Sequence, residues 1–302
     1  GAERYMQGIL IGASSMAKAN IAVVEDRLHY IGTDGNEYYI KGGRPPSTFY
    51  PDRHPEITTV DGFVGENGGN GGTQYTWAEL MAAAGNHAQD NTNNIVIEFY
   101  NEATQDKWNY FLHGIYLFDV SSLAGVSAVI PTTVSLYGTS KAGYTGGKPN
   151  VNLYNMLAGY PASNTALTGT DYAGRGATPL STTIEYNDWN TAGYNVFYLN
   201  AAGLSALNAA IAGDGIFRVC ARNPNYEVAG VAPVWSAAYT GANLLAYYAD
   251  GYPGTTRAPK LVVTYSGGAY SANPPGNIAI VETRVHYVAT NYYEMYLQGA
   301  LV

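Results

Sequence analysis

The sequence predicts an all-β protein: a jelly-roll β-sandwich with one or two short helices, flanked by N- and C-terminal β-hairpin arms. Three observations carry this expectation. Short runs rich in Val, Ile, Thr, Tyr and Phe recur between turn residues along the middle of the chain. Charged residues make up only 13% while Tyr reaches 28 copies, and Tyr, Thr and Val fit a pleated, half-buried surface better than a helix. Clusters of Pro and Gly separate that middle from two ends that repeat each other.

In chain order, the first element is an N-terminal arm over residues 1–43. Its stretch Asn20 to Gly42 matches Asn277 to Gly299 without a gap, agreeing at Asn20/Asn277, Glu25/Glu282, His29/His286, Tyr30/Tyr287, Tyr39/Tyr296 and Gly42/Gly299, among others. The opening GAERYMQG matches only the tail of this unit, with Glu3, Tyr5 and Gly8 where Glu37, Tyr39 and Gly42 fall. The chain is therefore expected to begin partway through a third copy and, lacking an initiator Met, to be a processed or partial form of something longer. Within the arm, RLHYI and EYYIKG read as strands joined at Asp34-Gly35, a strong hairpin turn. The second copy, residues 277–302, carries Asn291-Tyr292 at that place, where Asn takes the left-handed conformation more readily than Tyr.

Residues 44–56 and 267–276 read as Pro- and Gly-rich linkers, leaving 57–266 for the sandwich. Strand-like runs there include NNIVIEFY, YFLHGIYLFDV, AVIPTTVSLYGT, GIFRVCAR and PKLVVTYS. Two segments change period. TWAELMAAAG places Thr76 and Glu79 at the spacing of a capping box with Gly85 as a stop, and GLSALNAAIAG ends at Gly213.

A net charge of −8 argues against nucleic acid, whose phosphates a basic patch would have to gather. There is no run of about 18 uninterrupted apolar residues, so no membrane span is expected. The single Cys220 lies in a strand-like run and reads as a buried apolar thiol.

The stretch LFDVSSLAGVSAVIPTTVSLYG, Leu117 to Gly138, together with the closing YPGTTRAPKLVVTYS, Tyr252 to Ser266, resembles the signature of DNRLRE-type jelly rolls, β-sandwiches similar to carbohydrate-binding modules. The resemblance implies the fold more than the function. The terminal LHY and NEYYIKG hairpins resemble units of bacteriophage tail, fibre and head-surface proteins. Without either resemblance, Asp119 reads as the cap of a turn through Ser121 and Ser122, and the strand from Leu117 to Val120 and the strand from Leu261 to Tyr265 as core.

Candidate sites are few. Trp108 in QDKWNY, and Trp189 with Asp188 and Asn190 in EYNDWN, have the content of a sugar site, where a ring stacks on an exposed indole and neighbouring polar groups bond its hydroxyls; packing against the sandwich rim is the competing reading. Asp61, Glu66, Asn67 and Asn70, around the glycines of DGFVGENGGNGG, offer oxygen ligands for calcium, against an ordinary Gly-rich surface loop. His29, His54, His87, His113 and His286 lack metal-ligand spacing, and no zinc site or cofactor is expected. His29 and His286 are expected to pair across their hairpins with Tyr or Glu. Glu98 with Glu102, or Glu185 with Asp188, are the only glycosidase-like pairs to weigh, and neither spacing sets an across-site separation. No nucleophile elbow, phosphate loop or Cys-His constellation is present, so no catalytic residue is assigned.

The expected function is a structural or adhesive subunit of an extracellular assembly, a bacteriophage virion protein. Its partners would be other copies or neighbouring virion proteins, contacted through His29, Tyr30, Tyr39, His286, Tyr287 and Tyr296 of the arms. A glycan-binding module contacting surface glycans is the alternative, and a polysaccharide-degrading enzyme the third reading.

Overall fold

The computed structural model of the chain describes residues 21–24, 27–31, 37–41, 46–69, 72–91, 94–266, 277–281, 284–288 and 294–298, with the flanking strands and Ser266 described by backbone alone. The elements are β1 (Ile21–Val24), β2 (Arg27–Ile31), β3 (Glu37–Lys41), β4 (Ser47–Phe49), β5 (Asp61–Asn67), α1 (Trp77–Ala82), β6 (His87–Gln89), β7 (Ile95–Asn101), β8 (Trp108–Asp119), β9 (Ser127–Ala142), β10 (Asn152–Met156), β11 (Arg175–Pro179), β12 (Tyr194–Tyr198), α2 (Ala201–Ala212), β13 (Ile216–Arg222), β14 (Gly241–Ala246), β15 (Lys260–Ser266), β16 (Asn277–Val281), β17 (Arg284–Val288) and β18 (Glu294–Gln298). Residues 46–265 form one compact unit, and the flanking strands belong to a second.

The larger unit is all-β and sandwich-like, as expected. Its strands follow the order β11-β10-β13-β8-β7-β14-β9-β15-β4, with β12 on β9, β5 on β8 and β6 on β5. Two long strands make this possible. β8 offers Trp108 to His113 to β7 and Ile115 to Asp119 to β13, while β5 pairs along Tyr110 to Tyr116. Where β5 shares β8 residues with each of the other two, β7 and β13 must take the opposite edge in succession, so the sheet divides there into two arms. β9 is shared in the same way, between β12 over Thr133 to Tyr137 and β14 over Gly138 to Ala142.

A strand buried on alternate residues has one wet face; β8 is buried at every position from Phe111 to Phe118, so both of its faces are covered. Phe63, Phe99, Phe111, Phe118, Phe197 and Phe217 are all at or below 1% exposure. Burial of each contributes about 1.5–3 kcal/mol relative to exposure. Leu117, Phe118 and Val120, and Leu261, Val263 and Tyr265 of β15, all lie in this core. The Asp119 carboxylate accepts the Ser121 N–H at 2.9 Å and closes the turn after β8.

Both short helices form. α1 carries the capping box: the Glu79 N–H donates to Thr76 Oγ1 at 3.2 Å and the Thr76 N–H donates to Glu79 Oε2 at 2.6 Å. It stops at Ala82, before Gly85, because Ala83 is already extended. In α2 the Asn200 side chain accepts the Gly203 N–H at 2.9 Å, and Gly213 is the C-terminal cap.

Two expectations are corrected. The segment 44–56 is not simply a linker: Ser47, Thr48 and Phe49 pair with Val263, Val262 and Leu261 as the outermost strand, β4. Pro46 and Pro51 flank that strand, and an edge strand tolerates proline at its ends because one row of N–H groups has no ladder to join. Beyond it, the Asp52 carboxylate accepts the N–H groups of Ile57, Thr58 and Thr59, which orders the lead-in to β5.

The arms are three-stranded rather than hairpins. In the first, Ile21 to Val24 adds a strand to β2, giving the order β1-β2-β3; β16-β17-β18 repeats it. Registers coincide: Ala22↔His29 and His29↔Tyr39 in one, Ala279↔His286 and His286↔Tyr296 in the other. Each histidine thus stands opposite a tyrosine. The expected turns at Asp34-Gly35 and Asn291-Tyr292, the linker 267–276 and the partial copy at Glu3, Tyr5 and Gly8 lie outside the described residues.

Candidate functional site

The structure removes the tryptophan platform. Trp108 and Trp189 are each 2% exposed, so neither indole offers a face to a sugar. Trp108 lies edge-on to Trp77, and Asp188 and Asn190 are exposed on the turn that carries Trp189. That turn is held from below by the Lys141 ammonium, which donates to the carbonyls of Tyr186, Asn187 and Trp189 at 2.9–3.0 Å.

The calcium loop is also corrected. Asp61 and Glu66 are the first and sixth residues of one strand. At about 3.3 Å per residue their Cα atoms stand roughly 16 Å apart on opposite faces, out of reach of a shared ion. Glu66 instead accepts the Tyr75 hydroxyl at 2.6 Å, the Asn86 amide at 3.0 Å and the Gly85 N–H at 3.2 Å. Asn67 Oδ1 accepts the Gly69 N–H, and Asn70 lies outside the described residues.

Of the carboxylates weighed as glycosidase pairs, Glu98 and Glu102 serve local structure. Glu98 accepts the Tyr110 hydroxyl at 3.0 Å, Glu102 accepts the Asn109 amide and the Ala103 N–H, and Glu185 and Asp188 are exposed. Cys220 is fully buried, and burial pushes its thiol up to about 12.

Two constellations form that no single stretch of sequence displays. The first is a tyrosine face. Tyr137 of β9 stands opposite Tyr194 of β12 in the ladder, with ring centroids 5.2 Å apart, and Tyr247 and Tyr252 extend the row at 6.1 and 5.6 Å. The Arg257 guanidinium lies over three of these rings, at 4.1 Å from Tyr252, 5.1 Å from Tyr137 and 5.7 Å from Tyr247, and Lys260 Nζ lies 3.9 Å from the Tyr194 ring. All four tyrosines are half-buried. Burial, with Tyr50 and Tyr137 nearby, pushes the Tyr194 hydroxyl up to about 12, so Tyr194 is protonated at neutral pH.

The second is a carboxylate cluster at the start of β5. Glu56 comes from the lead-in, Asp61 opens β5, Asp90 follows β6 and Asp250 lies in a 3-10 turn over Ala249–Gly251. Ligand atoms of His54, Glu56 and Asp90 lie within 4.8 Å of one another. The scattered histidines thus conceal one that the fold sets among acids. The spacing of His54, Glu56 and Asp90 matches no motif.

No known protein-family model matches the chain, and no curated protein matches it. The residues alone carry the functional reading.

Proposed function

We propose that the chain is a structural or adhesive subunit of an extracellular assembly, a bacteriophage virion protein of the tail, fibre or capsid surface. The observation that supports it is the pair of three-stranded sheets, one before and one after the much larger unit in the sequence, which repeat one register. A sheet of three short strands has few residues with which to cover its faces, and small sheets gain stability by packing on another element. Duplicated connectors suit a protein joined to similar neighbours at both ends. A second feature agrees with this reading. The loop Val228 to Tyr239 contains no charged residue and exposes Val231, Val234 and Tyr239 at 57%, 63% and 62%, surface of the kind that contacts with other copies or neighbouring virion proteins would cover.

Glycan binding is the second reading, now favoured by the tyrosine face rather than by tryptophan. Half-exposed rings braced by a cation present stacking surface in fixed positions.

Deletion of residues 277–302 tests the first reading. The truncated chain is expected to keep the thermal transition of the 46–265 unit and to lose ordered assembly in electron micrographs and sedimentation. Assembly indistinguishable from that of the full chain would refute the connector role. For the second reading, Tyr252→Ala is expected to abolish retention on a glycan array that the parent chain binds.

A further inference from the structure

His54, Glu56 and Asp90 each bring one donor atom to within 4.8 Å of the other two, and His54 Nδ1 stands 3.0 Å from Glu56 Oε2. Two donors that each lie about 2.0–2.1 Å from a tetrahedral zinc ion stand about 3.3–3.4 Å apart. Every edge of this triangle is therefore within about 1.5 Å of the spacing that such ligands need. Rotation of side chains spans that difference, and the His54 side chain is 51% exposed, so its ring has room to turn.

A second observation is independent of that spacing. The Glu56 side chain is only 3% exposed, and its other oxygen, Oε1, is buried without a hydrogen-bond partner among the described residues. Buried polar atoms are nearly always satisfied, and a buried anion needs a cation or a dense set of donors. One ring nitrogen of His54 supplies neither. The backbone around all three residues is nonetheless fixed. Asp250 Oδ1 accepts the His54 N–H at 2.6 Å, and Asp52, by accepting the N–H groups of residues 57–59, holds the chain just beyond Glu56. Asp90 Oδ2 accepts the Leu167 N–H at 3.3 Å, and Gly62 lets residue 90 lie close against β5: a Cβ on Gly62 would stand 2.8 Å from the Asp90 Cα.

We propose that His54, Glu56 and Asp90 bind one zinc ion, with water in the fourth position on the solvent side. The donors select the ion. One imidazole and two carboxylates form a set that zinc accepts as three protein ligands completed by a water. Calcium takes six to eight oxygens and magnesium a near-ideal octahedron of oxygens, and three side chains that include a nitrogen provide neither. The ion gives the Glu56 carboxylate its missing cation. It also cross-links the lead-in to β5 with the residue that follows β6, stabilising the unit by binding the folded state alone. Histidine spacing predicts no such site because two of the donors are carboxylates, one of them distant in the chain. This inference is independent of the assembly reading.

The test uses the full chain, stripped with EDTA and dialysed at neutral pH. Zinc chloride at about 100 times Kd is expected to raise the Tm of the larger unit by roughly 5–10 °C, and calorimetry to show a binding site that His54→Ala removes. His54 is half-exposed, so the EDTA-treated His54→Ala protein is expected to melt within about 2 °C of its parent. Asp90→Asn and Glu56→Gln are expected to lose the zinc-dependent shift as well, and His54→Ala remains the deciding variant should Glu56→Gln not fold. Cobalt(II) chloride in place of zinc is expected to give the visible absorption of a low-coordinate nitrogen–oxygen site, absent from His54→Ala. No zinc-dependent shift in the parent chain, a shift of parental size in His54→Ala or Asp90→Asn, or an equal response to calcium would each overturn the proposal.

Discussion

The Trp77 indole meets the Trp108 indole edge-on, with ring centroids 5.5 Å apart and planes at 67°. Trp77 makes the same kind of contact with Phe99 and Phe111, at 5.6 and 5.4 Å. A six-residue helix has little stability of its own. This aromatic contact at Trp77, the first residue of the helix, next to the capping box at the same end, is what holds α1 onto β7 and β8.

Trp108 should therefore behave as core. Trp108→Ala is expected to lower unfolding free energy by about 3–5 kcal/mol, read by chemical denaturation, whereas Tyr252→Ala on the tyrosine face should stay within about 1 kcal/mol. A Trp108→Ala protein as stable as its parent would return the indole to the surface and reopen the sugar platform.

Much of this architecture was legible because the signals are local. Thr76 and Glu79 specify the start of α1 by spacing alone, Asp119 specifies its turn, and the β-branched and aromatic runs of β8 and β15 specify covered strands. What was not legible depends on distant partners. Ser47 to Phe49 is too short and too proline-flanked to read as a strand until β15 presents its edge. Ile21 to Val24 was read as part of the repeat but not as a strand, because Glu25-Asp26 and Glu282-Thr283 carry no recognised turn signal. Trp108 and Trp189 are followed or preceded by polar residues that suggested exposure, yet neighbours on a strand or turn point to different sides. His54 and Glu56 lie far in sequence from Asp90, and only the fold reveals their meeting.

Glu227 is the centre of a buried ionic network. Its carboxylate takes Arg222 Nε at 2.7 Å, Arg175 Nη1 at 3.3 Å and the Asn223 N–H at 3.0 Å, with 1% of its side chain exposed. Removing the anion would leave two largely buried guanidiniums facing each other. Glu227→Ala is expected to destabilise the unit by about 3–5 kcal/mol, measured by urea titration. A loss below about 1 kcal/mol would show that water replaces the carboxylate freely.

His113 gives the fold a pH dependence. Its ring stacks on Tyr172 at 5.1 Å, it is fully buried, and burial together with the Arg175 and Arg222 charges holds its pKa well below the ordinary value. The folded chain keeps this ring neutral, while the unfolded chain protonates it below about pH 6.5. The unfolded state then binds more protons, so stability falls as pH drops through that range and is unaffected above it. His113→Leu should flatten this part of the profile, seen as a smaller difference in Tm between pH 7.5 and pH 5 than in the parent. An unchanged slope would assign the acid sensitivity to other groups.

The flanking sheets permit a test that leaves the larger unit untouched. β17 is central in its sheet, with His286 opposite Ala279 on one side and Tyr296 on the other, and His29 occupies the same place between Ala22 and Tyr39. Proline there removes a ladder donor and fixes φ near −65°, which a central strand does not accept. His286→Pro is expected to dismantle β16-β17-β18 as effectively as deletion does, abolishing assembly while the Tm of the 46–265 unit stays within about 1 °C of the parent. His29→Pro should act alike if the two sheets are equivalent connectors. Should either variant assemble normally, the repeated register would reflect shared ancestry of the strands rather than a shared joint.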